Sequence, residues 1–142
     1  MTTTPDPRPC VSVVGIESRV TGFRCATCDL PSLWASPRCA ACGGRPEPTT
    51  FDGWGVVWSS TVVRVPVPGR MPPYSLAYVD LHDGPRILAH MVLDGEPRRT
   101  MPGTAVRVVR LDDAGDVLVE VVGAVPPGAV PTGTVPTGAV PS

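Results

Sequence analysis

Two Cys-x2-Cys pairs constrain this chain more than any other feature of its sequence. Cys25 and Cys28 form the first pair, Cys39 and Cys42 form the second, and ten residues separate the pairs. A Cys-x2-Cys turn can aim two thiolates at one ion, and a hairpin of this length can return a second such turn to complete a tetrahedron. We therefore predict one closed four-thiolate metal site in a small ribbon.

Zinc is the predicted ion, because four thiolates form a soft, closed site with no open position for water. Such a site is structural rather than catalytic. An iron site of rubredoxin type uses the same ligands and remains an alternative. Two disulfides are disfavoured, because paired spacing in a reducing compartment indicates metal binding. Cys10 belongs to neither pair and is predicted to be a small, buried apolar side chain.

Composition favours strands for the rest of the chain. The 19 Pro and 15 Gly residues oppose long helices, since Pro lacks a backbone donor and Gly raises the entropic cost of ordering. Aromatic residues make up only 5 % of the chain against 42 % apolar residues. Val, Ala and Leu must therefore supply most of the core, and Val packs well on a pleated sheet.

Charge and hydropathy disfavour two kinds of partner. The net charge is −1, and all 12 basic residues are Arg, whereas a protein that holds nucleic acid through phosphates needs a concentrated positive face. No run of about 18 apolar residues is present to span a bilayer. The polar start, Met1 to Pro9, has no hydrophobic region of signal-peptide type. We expect a soluble, cytoplasmic protein that does not bind a membrane.

Five strands are predicted after the ribbon, which is the strand count of an OB barrel, a small Greek-key barrel. Gly53 and Gly55 are predicted bend points of the long first strand. Asp83-Gly84 lies at the centre of a hairpin, and Asp112 to Gly115 joins a second one. The predicted strands are Trp54 to Val65, Tyr74 to Leu81, Arg86 to Leu93, Ala105 to Leu111 and Asp116 to Val122. Between the hairpins, Asp94 to Gly103 is predicted to be a loop.

A mainly β chain with four parts is therefore expected. Val11 to Ile16 is a possible strand, followed by a polar stretch, and Glu47 to Thr50 is a predicted short linker. The C-terminal segment repeats a Val-Pro unit with a period of five, and its Pro and Gly residues oppose any stable ladder or helix. The predicted parts are an N-terminal extension (1–19), a zinc ribbon (20–46), an OB barrel (47–123) and a disordered tail (124–142).

No set of catalytic residues is recognisable in the sequence. His82 lies in a predicted turn and His90 in a predicted strand, and neither has an activated nucleophile near it in sequence. Ser59, Ser60 and Thr61 lie in a strand without the Gly-x-Ser-x-Gly turn of a strained nucleophile. We predict no catalytic residue.

Two kinds of side chain could bind a ligand or a partner. Trp34, Trp54 and Trp58 could stack on bases, but core packing or an interface anchor is favoured because the chain is nearly neutral. Arg98 and Arg99 could hold a phosphate through paired hydrogen bonds. A solvated, charge-balanced face is the alternative for these two arginines.

Six sequence blocks, in a fixed order, carry a resemblance to a known family. They are GFRCATC (22–28), PRCAACGG (37–44), GVVWSSTVV (55–63), PPYSLAYVDL (72–81), DGPRILA (83–89) and MPGTAVRVV (101–109). Over about residues 20 to 122 the chain resembles the acyl-CoA-associated family that joins a rubredoxin-like zinc ribbon to an OB barrel. The long N-terminal helix common in that family is not evident here, and Val117 to Val122 replaces its usual aromatic-proline strand ending.

The resemblance implies a non-catalytic subunit that binds thiolase-fold enzymes, acyltransferases or steroid side-chain aldolases. In that family the ribbon and barrel help shape the CoA or acyl-CoA channel of the partner. On this basis Arg98 and Arg99 are assigned to a CoA phosphate, and Trp34 and Tyr74 to the partner interface. A single-stranded nucleic-acid binder is the alternative function, and an independent enzyme is a third.

Overall fold

Nine β-strands form two sheets in the computed structural model, which describes residues 6–123. The predicted disordered tail, 124–142, lies outside the described residues. The strands are β1 (Cys10–Val14), β2 (Glu17–Cys25), β3 (Pro31–Ser32), β4 (Pro46–Asp52), β5 (Trp54–Val63), β6 (Tyr74–Leu81), β7 (Arg86–Val92), β8 (Ala105–Leu111) and β9 (Val117–Val121).

Strands β5 to β9 close into a barrel in the order β5-β6-β7-β9-β8. All neighbours are antiparallel except β7 and β9, which run parallel. A five-stranded closed barrel of this kind is the predicted OB architecture, so the predicted mainly β fold is confirmed. The two predicted hairpins are present as β6–β7 and β8–β9, and Asp94 to Gly103 contains neither helix nor strand.

The barrel core follows the period-two alternation of the strands, since successive side chains point to opposite faces. In β6, for example, Ala77 and Val79 are buried while Tyr78 between them is exposed. The largest fully buried side chains of the barrel are aliphatic: Val57, Val79, Ile87, Val106, Val108 and Val119. The expectation that Val, Ala and Leu would supply most of the core is confirmed, with Phe51 and Trp54 as buried aromatic residues.

The N-terminal sheet is built around β2, which pairs with β1, β3 and β4. Two of its residues, Val20 and Phe51, belong to the same core cluster as the barrel interior. The sheet therefore packs on the barrel through a small apolar contact. It also carries the four cysteines, three of them between the strands.

Two sequence predictions for this sheet are wrong. The polar stretch after Ile16 is the start of β2, where Ser18, Val20 and Gly22 alternate with exposed residues; small buried residues hid the strand. Glu47 to Thr50 is not a linker but part of β4, which pairs with β2. Proline is tolerated there because β4 is an edge strand, whose outward backbone nitrogens need no partner. The four-part division of the chain stays a prediction.

Gly53 lies at the junction between the sheet and the barrel. A Cβ atom there would lie 1.9 Å from Ser18 Oγ and 2.7 Å from the Ser18 carbonyl oxygen. The Gly53 N–H donates to that carbonyl over 2.8 Å, and its own carbonyl accepts from the Val108 N–H over 2.6 Å. Glycine is required at this point because strands of the sheet and the barrel meet here without room for a side chain.

Candidate metal centre

The four cysteine sulfurs predicted to bind one ion converge at the end of the N-terminal sheet. All four Sγ atoms lie within 4.8 Å of one another. Sγ of Cys25 is 3.5 Å from Sγ of Cys42, and Sγ of Cys28 is 3.6 Å from Sγ of Cys39. A tetrahedral ion with metal–sulfur bonds of about 2.3 Å holds its sulfurs about 3.8 Å apart. The arrangement therefore fits a single four-coordinate metal ion.

Two similar turns produce this arrangement. In the first, the Asp29 N–H donates to the Cys25 carbonyl over 3.0 Å, and in the second the Gly43 N–H donates to the Cys39 carbonyl over 2.9 Å. Asp29 and Gly43 both have positive φ angles, of 68° and 76°. This conformation suits Gly, and Asp adopts it more readily than most residues. Each Cys-x2-Cys pair thus ends in a left-handed residue that turns the chain away from the sulfurs.

Backbone N–H groups point at the sulfurs and favour their ionised form. The N–H groups of Thr27 and Ala41 lie 3.4 Å from the sulfurs of Cys25 and Cys39, and the Gly44 N–H lies 3.3 Å from Sγ of Cys42. Such donors stabilise thiolate charge. A Cβ atom at Gly44 would lie 2.7 Å from Thr27 Oγ1 and 3.0 Å from Sγ of Cys25, so a side chain there would crowd the site.

Backbone donors and neighbouring cysteines shift the cysteine pKa values. Backbone donors, above all the N–H groups of Cys28 and Thr27, lower the pKa of Cys25 to about 6. The pKa of Cys39 is lowered in the same way, by the N–H groups of Cys42 and Ala41. For Cys28, the favourable N–H of Leu30 is outweighed by the neighbouring Cys42 and Cys39, and its pKa rises to about 12. A divalent cation would relieve this conflict, because metal binding removes the thiol protons.

The donor set fits a structural ion better than a catalytic one. Four sulfurs fill a tetrahedron, and no ligand position is left for water or substrate. Cys25 and Cys39 are buried, whereas Cys28 and Cys42 are exposed, so the ion would lie near the surface. Cys10 is also exposed, which shows that its predicted burial is wrong: it lies on an edge strand whose outer face meets solvent.

Trp34, a predicted interface residue, lies on the loop between β3 and the second cysteine pair. It is 59 % exposed, and its indole Nε1 donates to the Pro7 carbonyl over 2.8 Å. With Leu33, Leu88 and Val117 it lines a cavity of about 300 Å³ between this loop, the segment before β1 and the barrel. Its position agrees with an interface role, which stays a prediction.

Tyr74, the second predicted interface residue, belongs to a polar cluster that sequence reasoning missed. Its ring lies 5.4 Å from the His90 ring and 5.5 Å from the Arg70 guanidinium. Arg70 in turn pairs with Asp112 over 2.5 Å and with Asp116 over 2.9 Å. No spacing in the sequence announces this cluster, because it joins two strands and two loops.

The same cluster lowers the pKa values of Asp112 and His90, which favours the charged form of Asp112 and the neutral form of His90. The hydrogen bond from Arg70 lowers the pKa of Asp112 to about 2, which keeps its carboxylate charged. Burial, and then the positive charge of Arg70, lower the pKa of His90, which keeps its imidazole neutral. Nε2 of His90 lies 3.6 Å from the Asp116 carboxylate. The cluster therefore consists of one arginine paired with two carboxylates, beside a neutral histidine.

Arg98 and Arg99 lie exposed in the Asp94 to Gly103 loop. The Arg98 guanidinium donates to the Asp94 carbonyl over 2.9 Å, so part of its donor capacity is used locally. Within residues 6–123, the Arg99 side chain has no ion-pair or hydrogen-bond partner. Arg107, on β8, is paired with Glu120.

The three tryptophans differ in their surroundings. Trp54 is buried and stacks on the His82 ring at 4.5 Å, so it serves the core. Trp58 is 52 % exposed on β5. It contacts Tyr78 edge-on, and the Arg86 guanidinium lies 3.8 Å above its ring while pairing with Asp80. Of the hydroxyl side chains at positions 59–61, Ser60 Oγ bonds to the Thr100 backbone. Nowhere in residues 6–123 is there a helix of the length and apolar character that crossing a membrane requires.

Comparisons with known proteins agree with this architecture. A family model described as the C-terminal OB-fold domain of ChsH2 matches residues 49–109. A DUF35 domain-containing scaffold protein of Pyrococcus furiosus is 41 % identical over 76 residues, which cover 51 % of this chain and 55 % of that protein. The chain thus spans about half the length of that relative.

A solved structure described as an Ltp2-ChsH2(DUF35) aldolase superposes with a TM-score of 0.58 and 27 % identity. The superposition covers 72 % of this chain and 84 % of the solved chain. This coverage is longer than the barrel, whose strands lie within residues 54–121. The similarity to a family that combines a cysteine ribbon with an OB barrel is confirmed.

Proposed function

We propose that this chain, which carries an OB-fold domain of the DUF35 family beside a four-cysteine ribbon, is a non-catalytic accessory subunit of an acyl-CoA-handling enzyme. The observation that carries the proposal is the superposition on the Ltp2-ChsH2(DUF35) aldolase over 84 % of that solved chain. The description of the Pyrococcus furiosus relative as a scaffold protein supports the same role. The partner would be a thiolase-like acyltransferase or an aldolase.

In this proposal the ribbon is held by one structural zinc ion bound to Cys25, Cys28, Cys39 and Cys42. The ion would supply no chemistry to the reaction, because its four positions are filled by sulfur. Its role would be to fix the loop that carries Trp34 against the barrel. Four reduced thiols favour a reducing compartment, and we place the assembly in the cytoplasm.

The loop from Asp94 to Gly103 is the proposed contact with CoA. Ser75 Oγ donates to the Arg98 carbonyl over 2.9 Å, and Ser60 Oγ bonds to both the N–H and the carbonyl of Thr100 over 2.7 Å. The backbone is therefore anchored on both sides of Arg99, whose side chain is exposed. A guanidinium held in this way suits a phosphate of CoA at the mouth of a shared channel.

Trp34 and Tyr74 are the proposed partner contacts, and they differ in how available they are. Trp34 exposes 59 % of its surface and can contribute a large, rigid apolar area to an interface. Tyr74 is partly buried against Arg70 and His90, so it would contribute by one edge only. We therefore expect substitution of Trp34 to weaken association more than substitution of Tyr74.

Co-expression with a thiolase-fold enzyme or an Ltp2-like aldolase of the same organism tests the proposal. A stable complex in size-exclusion chromatography, with activity higher than that of the enzyme alone, is the expected result. Arg99→Ala should raise the KM for the acyl-CoA substrate, while Arg38→Ala, at another exposed arginine, should not. The proposal fails if none of these enzymes associates with the chain and each enzyme is fully active without it.

Single-strand nucleic-acid binding is the second candidate, and the exposed pair Trp58 and Tyr78 favours it. Aromatic side chains on the outer face of an OB barrel can stack on bases. Arg86, the cation beside them, is however neutralised by Asp80. Titration with a single-stranded oligonucleotide at two salt concentrations separates the candidates, since tight binding with a steep salt dependence would support this one.

A further inference from the structure

The hairpin formed by β1 and β2 exposes aliphatic side chains at its tip. Val14 is 80 % exposed, Ile16 is 82 % exposed and Val13 is 44 % exposed. Gly15 and Ile16 form the turn, with Gly15 at a φ of 64°. Such turns are ordinarily polar. An exposed apolar tip of this kind therefore indicates a surface that is covered in some assembly.

Strand β1 is also an edge strand with unpaired backbone groups. It pairs with β2 in register from Cys10 opposite Thr21 to Val14 opposite Glu17, and no other strand pairs with it in residues 6–123. In an antiparallel pair, every second residue directs its N–H and C=O away from the partner. A two-residue turn closes on Val14 and Glu17, so the outward groups belong to Val11 and Val13.

Strands β1 and β4 flank β2 on opposite sides, and their outer edges differ in composition. Strand β4 carries Pro46, Glu47 and Pro48, which are residues that protect an edge from pairing because proline lacks a donor and charge resists burial. Strand β1, with the sequence CVSVV, carries neither proline nor a charged residue. One edge is therefore blocked and the other is left open to a further strand.

We propose that β1 pairs with β1 of a second copy of this chain, antiparallel and about a two-fold axis at Ser12. In this register Val11 lies opposite Val13 of the second copy, and the outward groups of both residues form four backbone hydrogen bonds. A strand paired with itself about a two-fold axis is self-complementary. No like charges meet, because β1 is uncharged. The pairing covers Val13 and brings the tip residues against the second copy.

This dimer does not depend on the proposed function, and its size makes it reversible. A five-residue strand pair with three aliphatic residues is smaller than a standard interface. We therefore expect a dissociation constant between about 1 μM and 1 mM. A strand of an unrelated protein could use the same edge. In that case this chain would be monomeric when it is studied alone.

Sedimentation-equilibrium measurements on the full chain, from about 10 μM to 1 mM, test the pairing. The chain should dimerise reversibly, and Val13→Lys should weaken dimerisation at least tenfold, because an edge lysine opposes strand pairing. Val92→Lys is the matched control, since Val92 is a strand residue with 47 % exposure, and it should dimerise like the wild type. A chain that is monomeric throughout, or equal effects of the two substitutions, would overturn the proposal.

A cross-link provides a measurement that does not depend on how lysine affects folding. Across a two-fold axis at Ser12, the two Cα atoms would be about 4.5 Å apart, which is within disulfide range. Ser12→Cys in a Cys10→Ser background should form a reducible dimer under mild oxidation. Thr61→Cys, exposed on β5 in the same background, should not, and equal cross-linking of the two variants would contradict the register.

Discussion

The cysteine ribbon and the barrel belong to one chain but are stabilised by different means. Of the sixteen apolar residues that are buried within residues 6–123, twelve lie in the barrel and only four lie before it, and two of those four are cysteines. Between Cys25 and Phe51, the only buried residue is Cys39. The barrel can therefore rely on apolar burial, whereas the ribbon has almost none and needs an ion to hold its loops.

Loss of the metal should separate the two regions most clearly. Structural zinc binding contributes on the order of 10 kcal/mol or more, which exceeds what the ribbon could gain from packing. Cys39→Ser, or treatment with a strong chelator, should disorder residues 25–46 while the barrel stays folded. Amide spectra by NMR would show ribbon signals collapsing to random-coil positions and barrel signals persisting.

Cys10→Ser is the control for this loss, because Cys10 is exposed and lies outside the cluster. It should leave both sets of NMR signals unchanged. If the ribbon signals survive chelation, packing alone holds the ribbon and the contrast between the regions disappears.

A cavity in the barrel should produce the opposite pattern. Ile87 is 1 % exposed, and truncation of a buried isoleucine costs about 2 to 5 kcal/mol. Ile87→Ala should lower the free energy of unfolding of the barrel in urea by that amount without reducing the metal content. Leu88→Ala, next to it and 49 % exposed, should cost far less, and equal losses would show that the barrel interior is not the source of stability.

The junction at Gly53 should couple the two regions. A Cβ atom there would overlap Ser18 Oγ at 1.9 Å, and overpacking of this kind costs about 1 to 3 kcal/mol. Gly53→Ala should lower the thermal midpoint of the chain and loosen the sheet from the barrel. Gly123→Ala, where a Cβ atom meets nothing within 4 Å, should be nearly silent, and a silent Gly53→Ala would mean that the regions move apart freely.

Acid should affect the barrel through Asp112, with a smaller effect. Its folded pKa is about 2 against an ordinary 3.8, so the Arg70 pair stabilises the fold fully above pH 3.8 and is lost as the pH falls toward 2. After allowance for solvent screening this amounts to about 1 kcal/mol. Asp112→Asn should flatten the stability of the barrel over that range in urea titrations. Asp113→Asn should not, and parallel pH curves for wild type and Asp112→Asn would contradict this contribution.

The features that could be predicted from the sequence depend on residues that lie close together in the chain. Two Cys-x2-Cys pairs define the metal site because each turn carries its own ligands, and alternating apolar residues define the five barrel strands. The start of β2 was missed because Ser18 and Gly22 are small, buried residues with no apolar signal. Strand β4 was missed because Pro46 and Pro48 normally mark a linker, and only its pairing with β2 shows that they lie on an edge.

Features made by distant residues could not be predicted in this way. The cluster of Arg70, Tyr74, His90 and Asp112 depends on how the barrel closes, and nothing in the spacing of these residues indicates contact. Cys10 was assigned to the interior from the usual behaviour of free cysteine. Its exposure follows from β1 being an edge strand, which is a property of the assembled sheet.

Native mass spectrometry with elemental analysis tests most directly whether the four cysteines hold one structural zinc ion. Reduced, folded protein should carry one zinc ion per chain, and Cys39→Ser should lose it while Cys10→Ser retains it. Folded, reduced protein with no metal at a stoichiometric level, and with intact ribbon signals, would contradict that claim.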